Sequence, residues 1–429
     1  MGPWLAVLAA VCSQHFALAL EGSVVANVRT EYVDNALATE RDELTELTHA
    51  PGLSVGATHG QGPIDVELQY SAERRFNTRD TTEDDTVLQG QGSLNWQVWR
   101  EFIRAFAQNS RTETTISSQG ADVQSNRQVL STTDIGLSAS VPLPGSMFFQ
   151  LTGLHNESSA DETGNDSETQ SVSGSLVVPW GGHRRISITR SELQTDFDLA
   201  GSTDYDSSVT SIELATDGRG SLDYAISFGR NSIDRDDREP VEGNVGSIDA
   251  SYQLSPSAQV TIALGRSFRH ETSAVFDGFD DFDGDILRTS NLGEVFTEDS
   301  VGLSFSSESG RFTYTASFDF NEQDYDAMVL DEKQRRYTLG VGMTLSRTSS
   351  LDFFVSASKL EFTGLGRNDE LASTGLRYRI SRWRRLAIDT EARWERRTSN
   401  VPLGGFVRRS AMINLTYHIA GRQAAALGR

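Results

Sequence analysis

Five aspartates crowd one stretch of this 429-residue chain: Asp277, Asp280, Asp281, Asp283 and Asp285, with Gly278 and Gly284 among them. Closely spaced carboxylate oxygens suit Ca²⁺. The spacing departs from the EF-hand loop, because the turning glycine and the closing glutamate are both misplaced. Similar acidic runs recur at Glu83-Asp84-Asp85 and Asp234-Arg235-Asp236-Asp237, which fits a series of solvated loops. In the weaker chemical reading, divalent cations bridge these loops to lipopolysaccharide phosphates. Arginines come in pairs, at Arg74-Arg75, Arg184-Arg185, Arg335-Arg336, Arg384-Arg385, Arg396-Arg397 and Arg408-Arg409. Neighbours on a strand point to opposite sides, so at a strand end one of each pair can reach phosphate head groups. An inner set, Arg377, Arg379 and Arg393, could instead guide an anionic solute. The nearby Asp389 and Glu391 argue for internal pairing.

Other chemistry finds little support. No Gly-x-Ser-x-Gly elbow and no His-Glu-x-x-His is present. Lipid hydrolysis on a barrel wall would need a serine beside a histidine, and the sequence matches no serine to His418. Enzymatic activity and bound cofactors are therefore not expected. The single cysteine, Cys12, falls in the N-terminal apolar stretch, so a chain cleaved after it has no thiol. The formal charge, 38 basic against 60 acidic residues or −22, would repel nucleic-acid backbones.

The elements that must position these groups announce themselves by alternation. Tyr337, Leu339, Val341, Met343 and Leu345 interleave with Thr338, Gly340, Gly342 and Thr344. Ala411, Ile413, Leu415, Tyr417 and Ile419 interleave with Met412, Asn414, Thr416 and His418. Each such segment is a strand with one apolar and one polar face. No run of apolar residues is long enough for a membrane helix. A two-faced strand repeated along the whole chain is best accommodated by a closed barrel with lipid outside and water inside.

Turn residues cut the chain into about twenty strand-length segments, with about eighteen the alternative. Short connections such as Gly60–Pro63, Pro142–Gly145, Trp180–Gly182 and Glu308–Gly310 take turns with long polar ones. The long ones are expected at 35–49, 77–86, 112–127, 156–169, 197–206, 233–244, 271–296, 322–333, 363–370 and 397–404. Short turns inside the cell envelope and long loops outside are the outer-membrane pattern. The prediction is an all-β transmembrane antiparallel up-and-down barrel over residues 20–419. A signal peptide precedes it over 1–19, with a small-residue site at Ala17-Leu18-Ala19, and a short tail follows over 420–429. Alternation assigns Ile64, Val66, Leu68 and Tyr70 to lipid. It assigns Asp65, Glu67, Asp223, Arg377, Arg379, Asp389, Glu391 and Arg393 to the lumen. Tyr32, Trp96, Trp99, Phe102, Trp180 and Trp383 fit interfacial girdles.

The start of the barrel carries a further signal. Val28–Asn35 ends in Tyr-x-Asp-Asn, and a polar loop follows. Thr48-His-Ala-Pro-Gly-Leu-Ser-Val55 and Ile64-Asp-Val-Glu-Leu-Gln-Tyr70 come next. This resembles the outer-membrane β-barrel family associated with PEP-CTERM/exosortase and exopolysaccharide systems, over about residues 24–110. The chain departs from common barrels in continuing ten residues past Ile419. The resemblance implies the outer membrane of a Gram-negative cell, with lipid, lipopolysaccharide, the barrel-insertion machinery and polysaccharide-export components as partners. It suggests a conduit for exopolysaccharide or surface components. The competing expectation is a non-conducting docking scaffold whose loops close the lumen.

Overall fold

The computed structural model describes residues 21–420, apart from 42, 101, 116–122, 163–165, 199–203, 217, 219, 236–237, 271–294, 326–330, 384 and 403. The first ten strands are β1 (Glu21–Val33), β2 (Glu46–Gln61), β3 (Ile64–Asn77), β4 (Asp85–Trp99), β5 (Ile103–Thr115), β6 (Arg127–Pro142), β7 (Phe148–Ala160), β8 (Ser167–Pro179), β9 (Arg184–Phe197) and β10 (Tyr205–Thr216). The second ten are β11 (Leu222–Arg235), β12 (Arg238–Ser255), β13 (Ala258–His270), β14 (Val295–Ser309), β15 (Phe312–Tyr325), β16 (Glu332–Ser346), β17 (Ser349–Phe362), β18 (Arg367–Trp383), β19 (Leu386–Ser399) and β20 (Phe406–Ala420). Every strand pairs antiparallel with its sequence neighbours, and β1 pairs with β20, so the 20-stranded sheet closes on itself. The only helical elements among the described residues are three short 3-10 turns.

Closure explains how so polar a chain reaches a stable fold. The sheet has no free edge, so every strand finds backbone partners on both sides even in hydrocarbon. The apolar face of the alternation points outward and nothing covers it. Leu339 is 60% exposed, Phe228 61% and Val172 57%. On β16 the outward apolar run is Tyr337 to Leu345. At about 3.3 Å per residue and a tilt near 40°, that run climbs roughly 20 Å, close to an outer-membrane apolar band. Trp96, Trp99 and Trp180 stand exposed at the short-turn end. Arg184 lies over the Trp180 ring at 5.9 Å. Tyr32 and Phe76 are exposed nearer the long-loop end.

The strands hold 12 to 18 residues, whereas about ten suffice to cross a bilayer. The surplus lies on the long-loop side, where outward residues turn polar. Arg190 bonds Glu192 on the outer face of β9, Lys333 bonds Glu322 at 2.7 Å and Lys359 bonds Glu361 at 2.6 Å. This corrects the predicted loops. β5 runs to Thr115 and β6 resumes at Arg127, inside the loop expected over 112–127. Within the span expected as a loop over 233–244, only 236–237 separate β11 from β12. At the other end the turns are tight. Gly62 (φ 78°) and Gly310 (φ 63°) adopt the left-handed backbone that those turns need. The leader expected over 1–19, and the tail apart from Ala420, lie outside the described residues.

The Tyr-x-Asp-Asn and Pro-Gly segments act at the closing seam. The Asp34 amide donates to the Arg409 carbonyl, and the Arg409 amide returns a 2.6 Å bond to Asp34 Oδ1. Asn35 has 0% exposure. Its carboxamide donates to the carbonyls of Thr39 (2.8 Å) and Val407 (3.1 Å). The motif thus fastens the first strand to the last. Pro51 has no amide to give, and the β2–β3 ladder lapses between His49–Phe76 and Gly52–Glu73.

Candidate functional site: the lumen

The register of all twenty pairs defines one inward face. By register the eight candidate residues share one face of the sheet. Asp65 and Glu67 alternate with Ile64, Val66 and Leu68 on β3 and are exposed. Asp223 is exposed near the start of β11, where the Thr216 hydroxyl donates to it. Across β18 and β19, Arg377 faces Glu391 and Arg379 faces Asp389. Their side chains join, with Arg377 Nη2 2.7 Å from Glu391 and Arg379 Nε 2.6 Å from Asp389. Arg393 reaches Glu395 at 2.9 Å, and Arg408 Nε donates to Glu395 at 2.6 Å. The Arg–carboxylate pairs therefore neutralise one another across the ladder. The loop aspartates Asp277, Asp280, Asp281, Asp283 and Asp285 lie outside the described residues. Among the described residues no three His, Cys, Asp or Glu side chains gather as metal ligands would.

Burial along the inward rows is strongly graded. On β3, Asp65, Glu67 and Gln69 are exposed, Ser71 and Glu73 half-buried, Arg75 and Asn77 buried. Around the barrel the long-loop level shows the same withdrawal from water. Thr195 is 0% exposed, Phe296 and Asp369 1%, Phe362 and Leu130 2%, Tyr205 4%. Among the described residues the inward side chains are exposed toward the short-turn end and buried toward the long-loop end.

Ion pairs accompany that burial. β4 and β5 pair from Gly90–Arg111 down to Trp99–Ile103. Above that level residues 85–89 ladder only with β3, and 112–115 only with β6. Arg75 spans this parting with two bonds to Glu113, 2.6 and 2.8 Å long. Arg127 adds a third at 3.1 Å, while Glu73 and Asp85 flank Arg75. Arg367 and Arg397 both engage the buried Asp369. Nearby, Glu46 ties down the loop after β3. It accepts bonds from the amides of Leu47, Arg79 and Thr81 and from the hydroxyls of Thr78 and Thr81. Burial opposes its charge, but these donors outweigh that and hold its carboxyl at about 2. Glu113 and Arg127 were missed because they fell inside a predicted loop. Arg75 entered only as one of many arginine pairs.

This geometry, a closed antiparallel barrel with a bare apolar exterior and a polar interior, defines a transmembrane β-barrel of the outer-membrane kind. No protein-family model matches the chain, and no curated protein is similar to it in sequence. Solved structures with the same fold include the FrpB iron transporter of Neisseria meningitidis (TM-score 0.52, 9% identity, 93% of this chain and 81% of that one). The ferric enterobactin receptor PfeA of Pseudomonas aeruginosa gives 0.51, 9%, 93% and 80%. The siderophore receptor PirA of Acinetobacter baumannii gives 0.50, 8%, 94% and 81%. At such identities the likeness is one of fold.

Proposed function

We propose that the chain is a gated outer-membrane conduit serving the export of exopolysaccharide or another surface component. The observation that carries this reading is the graded lumen: a water-exposed polar bore at the short-turn end, closed at the other by ion pairs and packed side chains that a conformational change could part. The link to export comes from the β1–β3 resemblance, and polysaccharide-export proteins at the short-turn side are the partners it implies. Insertion machinery and lipopolysaccharide are the partners any such barrel needs. No catalytic step belongs to this reading.

Single-channel recording in planar bilayers tests it. The expected result is discrete conductance steps that become larger or more frequent when the seal is loosened by Arg75→Ser. Selectivity between K⁺ and Cl⁻ should be weak, because the candidate arginines already face carboxylates. A barrel silent in both forms would overturn the conduit. The sealed long-loop end would then favour the second reading, a docking scaffold with a permanently closed lumen.

A further inference from the structure

Below the seal, where β20, β1, β2, β3 and β4 meet at the closing seam, the lumen holds a cavity of about 450 Å³. Beside Val25, Ala72 and Val87, two kinds of polar residue line it. The charged ones are already engaged. Arg29 Nη2 lies 2.6 Å from Glu73, and Arg75 and Arg127 both pair with Glu113. The neutral ones are Asn27, Ser54, Ser71, Gln89, Asn414 and Thr416. Among the described residues these six show no side-chain hydrogen bond, and Asn414 Oδ1 is buried without a partner there. Elsewhere in the lumen neutral groups satisfy each other, as Ser227 does with Ser247 and Ser356 with Ser373. Gly52 keeps the cavity clear, since a Cβ there would come 2.6 Å from Asn27 Oδ1.

A buried polar atom left unpaired costs free energy that a ligand bond recovers. The spare capacity here is all uncharged, with both donors and acceptors. A charged ligand would have to break existing ion pairs, whereas a polyhydroxylated neutral one need only replace water. We propose that this cavity binds a short segment of a neutral saccharide through the amides and hydroxyls of Asn27, Ser54, Ser71, Gln89, Asn414 and Thr416. The proposal rests on the conduit reading only for the ligand's route of entry, from the open short-turn end.

The test is equilibrium binding to the full barrel in detergent, with maltotriose as the neutral probe and trigalacturonate as its charged counterpart. Maltotriose should bind and trigalacturonate should bind at least tenfold more weakly. The double variant Asn27→Leu/Asn414→Leu should weaken maltotriose binding at least tenfold, while Ser227→Ala, in a self-satisfied pair, leaves it unchanged. The conservative Asn414→Gln should retain part of the affinity, which separates loss of the amide from loss of fold. Equal binding of both probes, no binding of maltotriose, or an unaffected double variant would each overturn the site. Conduction is read separately. A conducting barrel that ignores maltotriose defeats this proposal alone, and a silent barrel that binds it defeats the conduit alone.

Discussion

On β8 and β9 the inward side chains of the middle turns are Ser171, Ser173, Ser175, Ser187, Thr189 and Ser191. On β18 and β19 they are Arg377, Arg379, Asp389, Glu391, Arg393 and Glu395. Both walls face the same lumen and both are wetted at their lower ends, yet they satisfy their polar groups differently. The hydroxyl wall bonds short, neutral groups to one another across strands, as Ser175 does with Thr189 and Thr169 with Thr195. The charged wall sets three arginines against three carboxylates. Its net charge is zero, although the chain as a whole carries −22. The surplus acid lies elsewhere, much of it in the long polar connections. The bore therefore presents a patterned but balanced field, and the two walls should respond very differently to the loss of one partner.

The largest response belongs to a charged pair, the buried one that joins β3 to β5. Arg75→Met would leave Glu113 facing Glu73 and Asp85 with its bidentate partner gone. Breaking a buried pair from one side typically costs about 3–5 kcal/mol. Urea unfolding of the lipid-reconstituted barrel should show that loss, and the double variant Arg75→Met/Glu113→Leu should recover most of it. If the single variant unfolds like the parent, charge does not hold the seal.

The next effect compares faces instead of walls. Leu339→Arg puts a guanidinium into hydrocarbon and should cost roughly 2–4 kcal/mol, whereas the neighbouring inward Thr338→Arg meets water and should cost far less. Folding yield into vesicles measures both. Equal penalties would mean that the apolar face does not meet lipid.

How much of this was legible follows from what alternation encodes. A period of two shows which face a residue takes, and the antiparallel ladder carries that from strand to strand. Strand number and the facing of Arg377 and Glu391 could therefore be read directly from the chain. Alternation says nothing of depth along the axis. Asp65 and Arg75 share one inward row, and only the fold shows one in water and the other sealed away. The strand ends were mistaken for loops for a related reason. Above the membrane both faces of a strand are polar, so Thr112–Thr115, inside the loop predicted over 112–127, lacks the apolar beat that betrays a strand in lipid. The saccharide cavity was invisible because Asn27 and Asn414 are 387 positions apart in the chain and meet only when β1 closes on β20.

A smaller effect lies at the rim. Glu46, held at about 2 when folded against an ordinary value of 4.5, adds stability that is complete above the ordinary value and disappears as pH falls through about 2. Glu46→Gln should open the loop over residues 78–81 by about 1–3 kcal/mol at neutral pH, since bonds to an ionised acceptor are the stronger kind. Limited proteolysis reads this as faster cleavage there. In the parent the same cleavage should rise only in strong acid. Equal cleavage of the parent and Glu46→Gln at neutral pH, with no rise in the parent as pH falls from 4.5 through about 2, would show that Glu46 does not tie the loop.

The smallest effect tests a neutral hydroxyl pair on β11 and β12 against a charged pair. Ser227 and Ser247 bond each other at 2.8 Å, and Ser227 Oγ also accepts the Ser247 amide. Removing both hydroxyls leaves no orphaned partner on a side chain, and replacing a neutral pair from both ends is close to neutral in stability. Ser227→Ala/Ser247→Ala should therefore change unfolding by under about 1 kcal/mol, in contrast with Arg75→Met. Should the serine pair prove as costly as the arginine, neutral and charged pairs would be equivalent structural supports. The balanced charges of β18 and β19 would then have to be explained by what passes them and not by what they hold together.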